Sequence, residues 1–127
     1  METTTAIMLN DIRDANYVAL ETFRQNGEGV ITPVWVAGEN GNLYVWTDQE
    51  SWKVKRIRKD HRVRLCESDS RGNPKSEWVE AQASILDSEE ALQRTRSLFK
   101  SKYGIQFSAF GLMGRKKPKA IVEISAQ

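Results

Sequence analysis

A run of positive charge occupies the middle of the chain. Five of the eight side chains from Trp52 to Lys59 are cationic, and Arg62 and Arg64 extend the run. Like charges this close together repel one another, so the run costs stability unless solvent or a bound anion compensates. At a helix start, such cations would add to backbone N–H groups that are already suited to phosphate. The run is therefore either a solvated basic face or an anion site.

Two neighbouring segments favour the anion site. Thr47 and Ser51 flank the start of the run, and hydroxyls, lysine and backbone amides together form a typical phosphate cradle. The segment Thr32-Pro33-Val34-Trp35 would supply a flat aromatic and apolar surface if its strand pairs with Val45–Thr47. A planar ring that carries a phosphate would suit such a surface.

Acid–base and nucleophilic machinery is sparse in this sequence. Cys66 is the only cysteine, which excludes an intrachain disulfide and a thiolate metal cluster. His61 is the only histidine. Glu77 and Glu80 lie three apart on a predicted strand, so they point to opposite faces and cannot form a close carboxylate pair. The sequence identifies no catalytic residue and no metal site. Hydride chemistry carried by a cofactor needs neither, because the protein then supplies orientation.

The segments that must position these residues are mostly predicted strands. They cover Tyr17–Phe23, Val30–Ala37, Leu43–Thr47, Val63–Glu67, Trp78–Leu86 and Ala120–Ile124. Turns rich in Gly and Asn predict that the first three strands form an antiparallel meander. Pro33 inside the second strand indicates an edge, a bulge or a place where a ligand replaces the ladder partner.

Helices are predicted between these strands. Ile7–Ala15 could form a short helix, Ser51 is a plausible N-cap for a second, and Asp87 with Glu90 forms a capping box for a third that ends at Gly104. The apolar segment Ile105–Gly114 fits no clear period. Short strands with inserted helices predict a single mainly β domain over residues 1–127, a small antiparallel barrel.

The bulk composition is that of an ordinary globular domain. The chain has 127 residues, of which 39% are hydrophobic and 28% charged, and its net charge of +2 is low for a nucleic-acid module. No run approaches the roughly 20 apolar residues that span a membrane. The first residues lack the continuous apolar core of a signal peptide, so the cytoplasm is the expected compartment.

A series of segments follows the order of a known superfamily. They are Thr22–Gly27, Thr32–Trp35, Leu43–Thr47, Ser51–Arg58, Arg62–Leu65, Gly72–Pro74 and Trp78–Ala81. The series resembles the flavin and deazaflavin oxidoreductases of the pyridoxamine-phosphate-oxidase-like split-barrel superfamily, and within it the coenzyme F420-dependent branch. The resemblance covers most of the chain, from about Tyr17 to Tyr103.

The resemblance implies a six-stranded antiparallel split β-barrel and a homodimer with cofactor sites at the subunit interface. It implies that the phosphate is contacted by Thr47, Ser51, Lys53 and Lys55, and that the ring is lined by Thr32, Pro33, Val34 and Trp35. Arg56, Trp52 and Trp78 complete the candidate cofactor-binding residues, although Trp52 stands where other branches often carry Arg. Residues of the second subunit near Trp78 or Phe107 are expected to close the site. The segment from Ile105 to Lys119 is expected to be a loop over the pocket.

The function that this resemblance implies is hydride transfer from reduced coenzyme F420 to a small electron-poor organic substrate. An FMN-binding oxidoreductase of the same fold is the first alternative. A non-catalytic cofactor carrier or sensor is the second, because the sequence offers few acid–base residues.

Overall fold

The computed structural model describes residues 4–114 and 117–126, of which residues 110–114 are described by their backbone alone. Within these residues the chain forms seven strands and four helices. The strands are β1 Tyr17–Phe23, β2 Gly29–Val34, β3 Ala37–Glu39, β4 Asn42–Asp48, β5 Arg62–Ser68, β6 Val79–Leu86 and β7 Lys119–Ser125. The helices are α1 Thr4–Ile12, α2 Trp52–Lys59, α3 Glu89–Tyr103 and α4 Ile105–Gly114.

All seven strands belong to one antiparallel sheet with the order β2-β1-β5-β6-β7-β4-β3. Its two edge strands, β2 and β3, follow each other in the chain and are separated only by Trp35 and Val36. The sheet must therefore curl until its edges approach, which gives a half-open barrel. The predicted mainly β barrel with helices is confirmed, but with seven strands instead of six.

The extra strand arises because the predicted strand Val30–Ala37 divides in two. Its first part pairs with β1, with Val34 opposite Val18, and its second part pairs with β4, with Ala37 opposite Tyr44. Between them, the N–H of Val36 donates to the hydroxyl of Tyr103 at 3.0 Å. A side chain of α3 thus replaces the strand neighbour here. The predicted meander is wrong at this point, because β2 pairs with β1 alone.

The local signals for turns and helix ends are mostly confirmed. Asn40 and Gly41 have φ of 55° and 82°, which suits the tight turn between β3 and β4. Ser51 caps α2 by accepting from the N–H of Val54 at 3.5 Å. Gly104, with φ of 59°, ends α3 as predicted.

Two helix predictions need correction. The N-cap of α3 is Ser88 and not Asp87, since the Ser88 hydroxyl accepts from the N–H of Ala91 at 3.1 Å. The carboxylate of Asp87 instead accepts a hydrogen bond from Gln49. The segment Ile105–Gly114 forms helix α4 and not a loop. Residues 115 and 116 of that predicted loop lie outside the described part of the chain.

The alternating residues of β4 separate two apolar clusters. Leu43 and Val45 face the barrel interior, where they join Leu20, Leu65 and Val122. On the opposite face of the sheet, a second cluster packs under α3 and α4 and is formed by Ala37, Tyr44, Phe99, Phe107 and Ile121, with Trp35, Trp46 and Tyr103 partly buried around it. This outer cluster forms the floor of the candidate site.

Candidate functional site

A cleft of about 450 Å³ opens between the end of the sheet and the two C-terminal helices. We call it the aromatic cleft. It is lined by Tyr17, Pro33, Val34, Trp35, Trp46, Thr47, Asp48, Phe99, Phe107 and Lys119. Both its volume and its mainly apolar walls are typical of sites for a ring-containing cofactor. The segments around Trp35 and Thr47 therefore meet as the sequence suggested, but through the curl of the sheet and not through direct pairing of β2 with β4.

Aromatic contacts fix the shape of the cleft. Phe107 of α4 approaches Trp46 edge to face, with ring centroids 5.5 Å apart, and lies 5.4 Å from Phe99. Trp35 stacks on Tyr103 at 4.3 Å with planes 5° from parallel. Such pairs add to the stabilisation that burial already provides. The walls are therefore held by side chains from both helices and from the bend between β2 and β3.

The bend itself is fixed from α3. The ammonium of Lys102 donates to the carbonyls of Arg13, Ala15 and Val36 at 2.9, 2.5 and 2.7 Å. The hydroxyl of Tyr103 lies 2.7 Å from the carbonyl of Asn16 and accepts from Val36. Burial raises the pKa of Tyr103 to about 12. Both side chains are saturated with backbone partners, so their role is to hold the wall of the cleft.

A small polar group adjoins the cleft at Thr47. Its hydroxyl lies 3.4 Å from the hydroxyl of Ser51 and 3.4 Å from the ammonium of Lys53. We call Thr47, Ser51 and Lys53 the hydroxyl–lysine cluster. Burial lowers the pKa of Lys53, and the charge of Arg56 lowers it further, while Asp48 opposes the shift. A desolvated ammonium beside two hydroxyls is stabilised by an anion, so this cluster fits a phosphate.

The other residues of the basic run point elsewhere. Arg56 donates to the buried hydroxyl of Thr22 at 2.7 Å, and burial followed by the charge of Arg24 lowers its pKa. The ammonium of Lys55 lies 4.6 Å from the ring of Trp52, which is 71% exposed. Helix α2 thus directs Lys53 towards β4, Arg56 towards β1, and Lys55 with Trp52 to solvent.

Two further candidates lie outside the aromatic cleft of the same chain. Thr32 is half-buried on β2 opposite Leu20 and does not line the cleft. Trp78 lies in a separate groove, with the guanidinium of Arg64 5.0 Å from its ring. Within one chain, the structure brings together Pro33, Val34, Trp35 and Thr47, with Ser51 and Lys53 beside Thr47.

Sequence reasoning missed several lining residues. Phe107 was expected from the second subunit, yet it lines the cleft of its own chain because α4 folds back over β4. Tyr17 and Phe99 carried no signal beyond apolar spacing. Asp48 and Lys119 lie opposite each other on β4 and β7 and form an ion pair at 2.5 Å. Their pairing spans 71 positions of sequence, so no local pattern could reveal it.

Within the described residues, no group of three or more His, Cys, Asp or Glu side chains comes together as a metal site would require. Among the helices of the same residues, none is both long and apolar enough to cross a membrane.

Solved structures with similar folds were found at 20% identity or less. A conserved hypothetical protein from Mycobacterium tuberculosis has a TM-score of 0.71 at 20% identity, over 100% of this chain and 82% of that one. HutZ, the heme storage protein from Vibrio cholerae, has a TM-score of 0.70 at 10% identity, over 100% and 92% of the two chains. An F420 reductase has a TM-score of 0.61 at 15% identity, over 93% and 92%.

These likenesses concern the fold. The chain has the split barrel that occurs in pyridoxamine 5'-phosphate oxidase-like flavin and deazaflavin proteins, so the predicted resemblance is confirmed at the level of the fold. No protein family model and no curated protein sequence matches the chain.

Proposed function

We propose that the chain is an oxidoreductase that uses reduced coenzyme F420 to transfer a hydride to a small electron-poor organic substrate. The observation that carries this proposal is that Thr47 belongs both to the aromatic cleft and to the hydroxyl–lysine cluster. This residue lines the aromatic cleft, and its hydroxyl lies 3.4 Å from the ammonium of Lys53. A planar ring in the cleft and a phosphate at the hydroxyl–lysine cluster would therefore be adjacent, as they are in one cofactor molecule.

When bound, the reduced cofactor supplies the hydride; the chain supplies its position. Trp35, Trp46 and Phe107 present flat apolar surfaces to the ring and exclude water from one side of it. Lys53 binds the phosphate by a charge-assisted hydrogen bond, with Ser51 and Thr47 as additional donors. The open side of the cleft is left for the substrate. Orientation of the two reactants is the main contribution of such a site to the rate.

The charge beyond Lys53 favours F420 over FMN. Arg56 lies near Arg24, since the charge of Arg24 lowers its pKa. Arg24 forms an ion pair with Glu28 at 2.7 Å, whereas Arg56 has no carboxylate partner among the described residues. A further anion would stabilise Arg56, and the tail of F420 is more anionic than that of FMN. FMN in the same site is the alternative, because the hydroxyl–lysine cluster fits any phosphate of a ring cofactor. A non-catalytic cofactor-binding protein is the remaining alternative.

The functional unit in this proposal is a homodimer with the cofactor at the subunit interface. No residue of the edge strand β2 is fully buried, and Ile31 on it is 48% exposed. Apolar surface at a free sheet edge is a site for association between chains. Light scattering of the purified chain tests this part: a dimer that Ile31→Lys converts to monomer supports it, and a monomeric wild-type chain contradicts it.

Parallel titrations with F420 and FMN test the choice of cofactor. Quenching of tryptophan fluorescence gives a dissociation constant for each, and we expect F420 to bind more tightly. Turnover of the F420-loaded chain with a panel of enones and quinones then separates an enzyme from a carrier. Tight F420 binding without any turnover supports the carrier, whereas yellow protein purified with bound FMN supports the FMN alternative.

A further inference from the structure

One cation belongs to the lining of the aromatic cleft. Among the cleft residues that the structure describes, Lys119 is the only one with a positive charge. Its side chain is 16% exposed, and its ammonium contacts the carboxylate of Asp48 at 2.5 Å. Asp48 is its cross-strand partner at the end of β4, so the sheet itself sets the position of the pair. The lysine therefore belongs to the same cleft lining as Trp46, Phe99 and Phe107.

The donors of Lys119 are incompletely used. An ammonium has three N–H donors, and within the described residues that of Lys119 donates to Asp48 alone. Lys102, a half-buried lysine of α3, uses its donors in hydrogen bonds to three backbone carbonyls. Lys102 therefore has a structural role, whereas Lys119 has two N–H donors left for another oxygen. The mainly apolar walls strengthen any hydrogen bond that Lys119 makes inside the cleft.

We propose that Lys119 is a catalytic residue that donates a proton to the carbonyl oxygen of an α,β-unsaturated carbonyl substrate. This inference rests on the proposed function and names the substrate class of the same site. Acceptors of this class develop negative charge on an oxygen when a hydride arrives. A positioned ammonium stabilises that charge and neutralises it by proton transfer. Asp48 holds the ammonium in place.

The proposed step adds a hydride and a proton to the substrate. A hydride from the reduced cofactor forms a C–H bond at the β-carbon, and the carbon–carbon π pair shifts so that charge accumulates on the carbonyl oxygen. An N–H bond of Lys119 breaks, and its proton bonds to that oxygen to give the enol, which tautomerises to the saturated carbonyl compound. The substrate gains two electrons; the cofactor loses two, together with a proton that passes to water. The neutral amine of Lys119 regains its proton from water.

Tyr17 is the rival proton donor, because it also belongs to the lining of the cleft and carries a phenol. A phenol can donate a hydrogen bond but carries no positive charge, so it would stabilise an oxyanion less strongly. Tyr17→Phe is therefore the matched comparison for Lys119→Met. Lys119→Arg is a third variant: arginine keeps the ion pair with Asp48 and the positive charge, but it does not release a proton near neutral pH.

The first experiment needs no turnover. 4-Nitrophenol, whose phenolate oxygen resembles the developing oxyanion, is titrated into the chain with and without F420, and its absorption spectrum reports its ionisation. We expect the wild-type chain, Tyr17→Phe and Lys119→Arg to bind it as the yellow phenolate. Lys119→Met should bind it as the neutral phenol or not at all. Phenolate binding that survives in Lys119→Met and disappears in Tyr17→Phe would overturn the proposal.

The second experiment measures reduction of 2-cyclohexen-1-one by the F420-loaded chain. At saturating F420, Lys119→Met should lower kcat by about 100-fold, as expected for loss of a general acid. Added ethylammonium should partly rescue this variant, and Lys119→Arg should remain slow. Wild-type kcat in Lys119→Met, or in Lys119→Arg, would contradict proton donation by Lys119. If the wild-type chain fails to bind F420, the proposed function fails, and the nitrophenol titration still decides whether Lys119 binds oxyanions.

Discussion

The ring of Trp35 stacks on the ring of Tyr103, with centroids 4.3 Å apart and planes within 5° of parallel. Trp35 lies at the bend where the chain leaves one edge of the sheet for the other, and Tyr103 is the last residue of α3. The same tyrosine bonds to the backbone of Val36 and Asn16. The end of α3 therefore fixes both the split in the barrel and one wall of the aromatic cleft.

Removal of the Tyr103 hydroxyl should weaken both features. Tyr103→Phe leaves the N–H of Val36 without this acceptor, so we expect the free energy of unfolding to fall by about 1–3 kcal/mol. F420 should also bind more weakly, because the bend that carries Trp35 loosens. Urea unfolding and fluorescence titration measure the two effects. Tyr44→Phe is the control: its hydroxyl bonds to Glu123 outside the cleft, so it should leave F420 affinity unchanged.

Alkaline pH should reveal the burial of Tyr103. Its pKa is raised to about 12 in the folded chain, from an ordinary value of 10.0. The Tyr103 phenol therefore ionises at a lower pH in the unfolded chain than in the folded chain. Its contribution to the free energy of unfolding is complete below pH 10 and is lost as the pH rises towards 12. Because Tyr103 is only partly buried, solvent screening reduces this loss to about 1–2 kcal/mol. Urea unfolding should show a larger fall in the free energy of unfolding over this pH range for the wild-type chain than for Tyr103→Phe. Equal pH dependence in the two chains would contradict the assignment, since the raised pKa of Tyr44 is common to both.

The sequence predicted most elements because their signals are local. Alternating apolar residues, the Asn40-Gly41 turn and the hydroxyl cap at Ser51 each depend on neighbours within a few positions. The division of Val30–Ala37 was missed because its cause is distant: Tyr103 and Lys102 supply partners to Val36 from 67 and 66 positions away. Continuous β propensity in the sequence could not show that a side chain would replace a strand.

The candidate site was predictable to a similar extent. Thr47, Ser51 and Lys53 lie within one strand-to-helix connection, so their proximity follows from local structure. The basic run as a whole did not distinguish Lys53 from Lys55, since only the packing of α2 decides which lysine faces β4. Phe107 and Lys119 enter the cleft through tertiary contacts of α4 and β7, which leave no mark in their own segments.

Backbone strain at Gly104 should test the placement of α4. This residue has φ of 59° and ψ of −131°, a conformation that essentially only glycine adopts readily. A Cβ there would meet no atom within 4 Å, so the cost of Gly104→Ala is backbone strain alone. We expect a loss of about 1–3 kcal/mol in the free energy of unfolding and weaker F420 binding through displacement of Phe107. Ser101→Ala, at an exposed position of α3, should change neither the free energy of unfolding nor the affinity for F420. A Gly104→Ala variant as stable as the wild-type chain would contradict this geometry.

Cofactor affinity should depend on the charge of Lys53. Burial lowers its pKa below the ordinary value of 10.5, so the ammonium is lost at a lower pH than that of an exposed lysine. A bound phosphate favours the ammonium, and binding above the lowered pKa therefore requires proton uptake. The dissociation constant of F420 should rise as pH increases towards 10.5 in the wild-type chain. In Lys53→Met this rise should be absent; an identical rise in both chains would exclude Lys53 as its origin.

The most direct measurement compares F420 with its ring fragment that lacks phosphate and tail, in the wild-type chain, Lys53→Met and Lys59→Met. We expect the wild-type chain to bind F420 about 10–100-fold more tightly than the fragment, as a charge-assisted contact to phosphate implies. Lys53→Met should lose most of this preference. Lys59→Met, which removes an exposed charge from the same helix, should keep it. Equal affinity of the wild-type chain for both molecules, or an unchanged preference in Lys53→Met, would contradict a phosphate site at Thr47, Ser51 and Lys53.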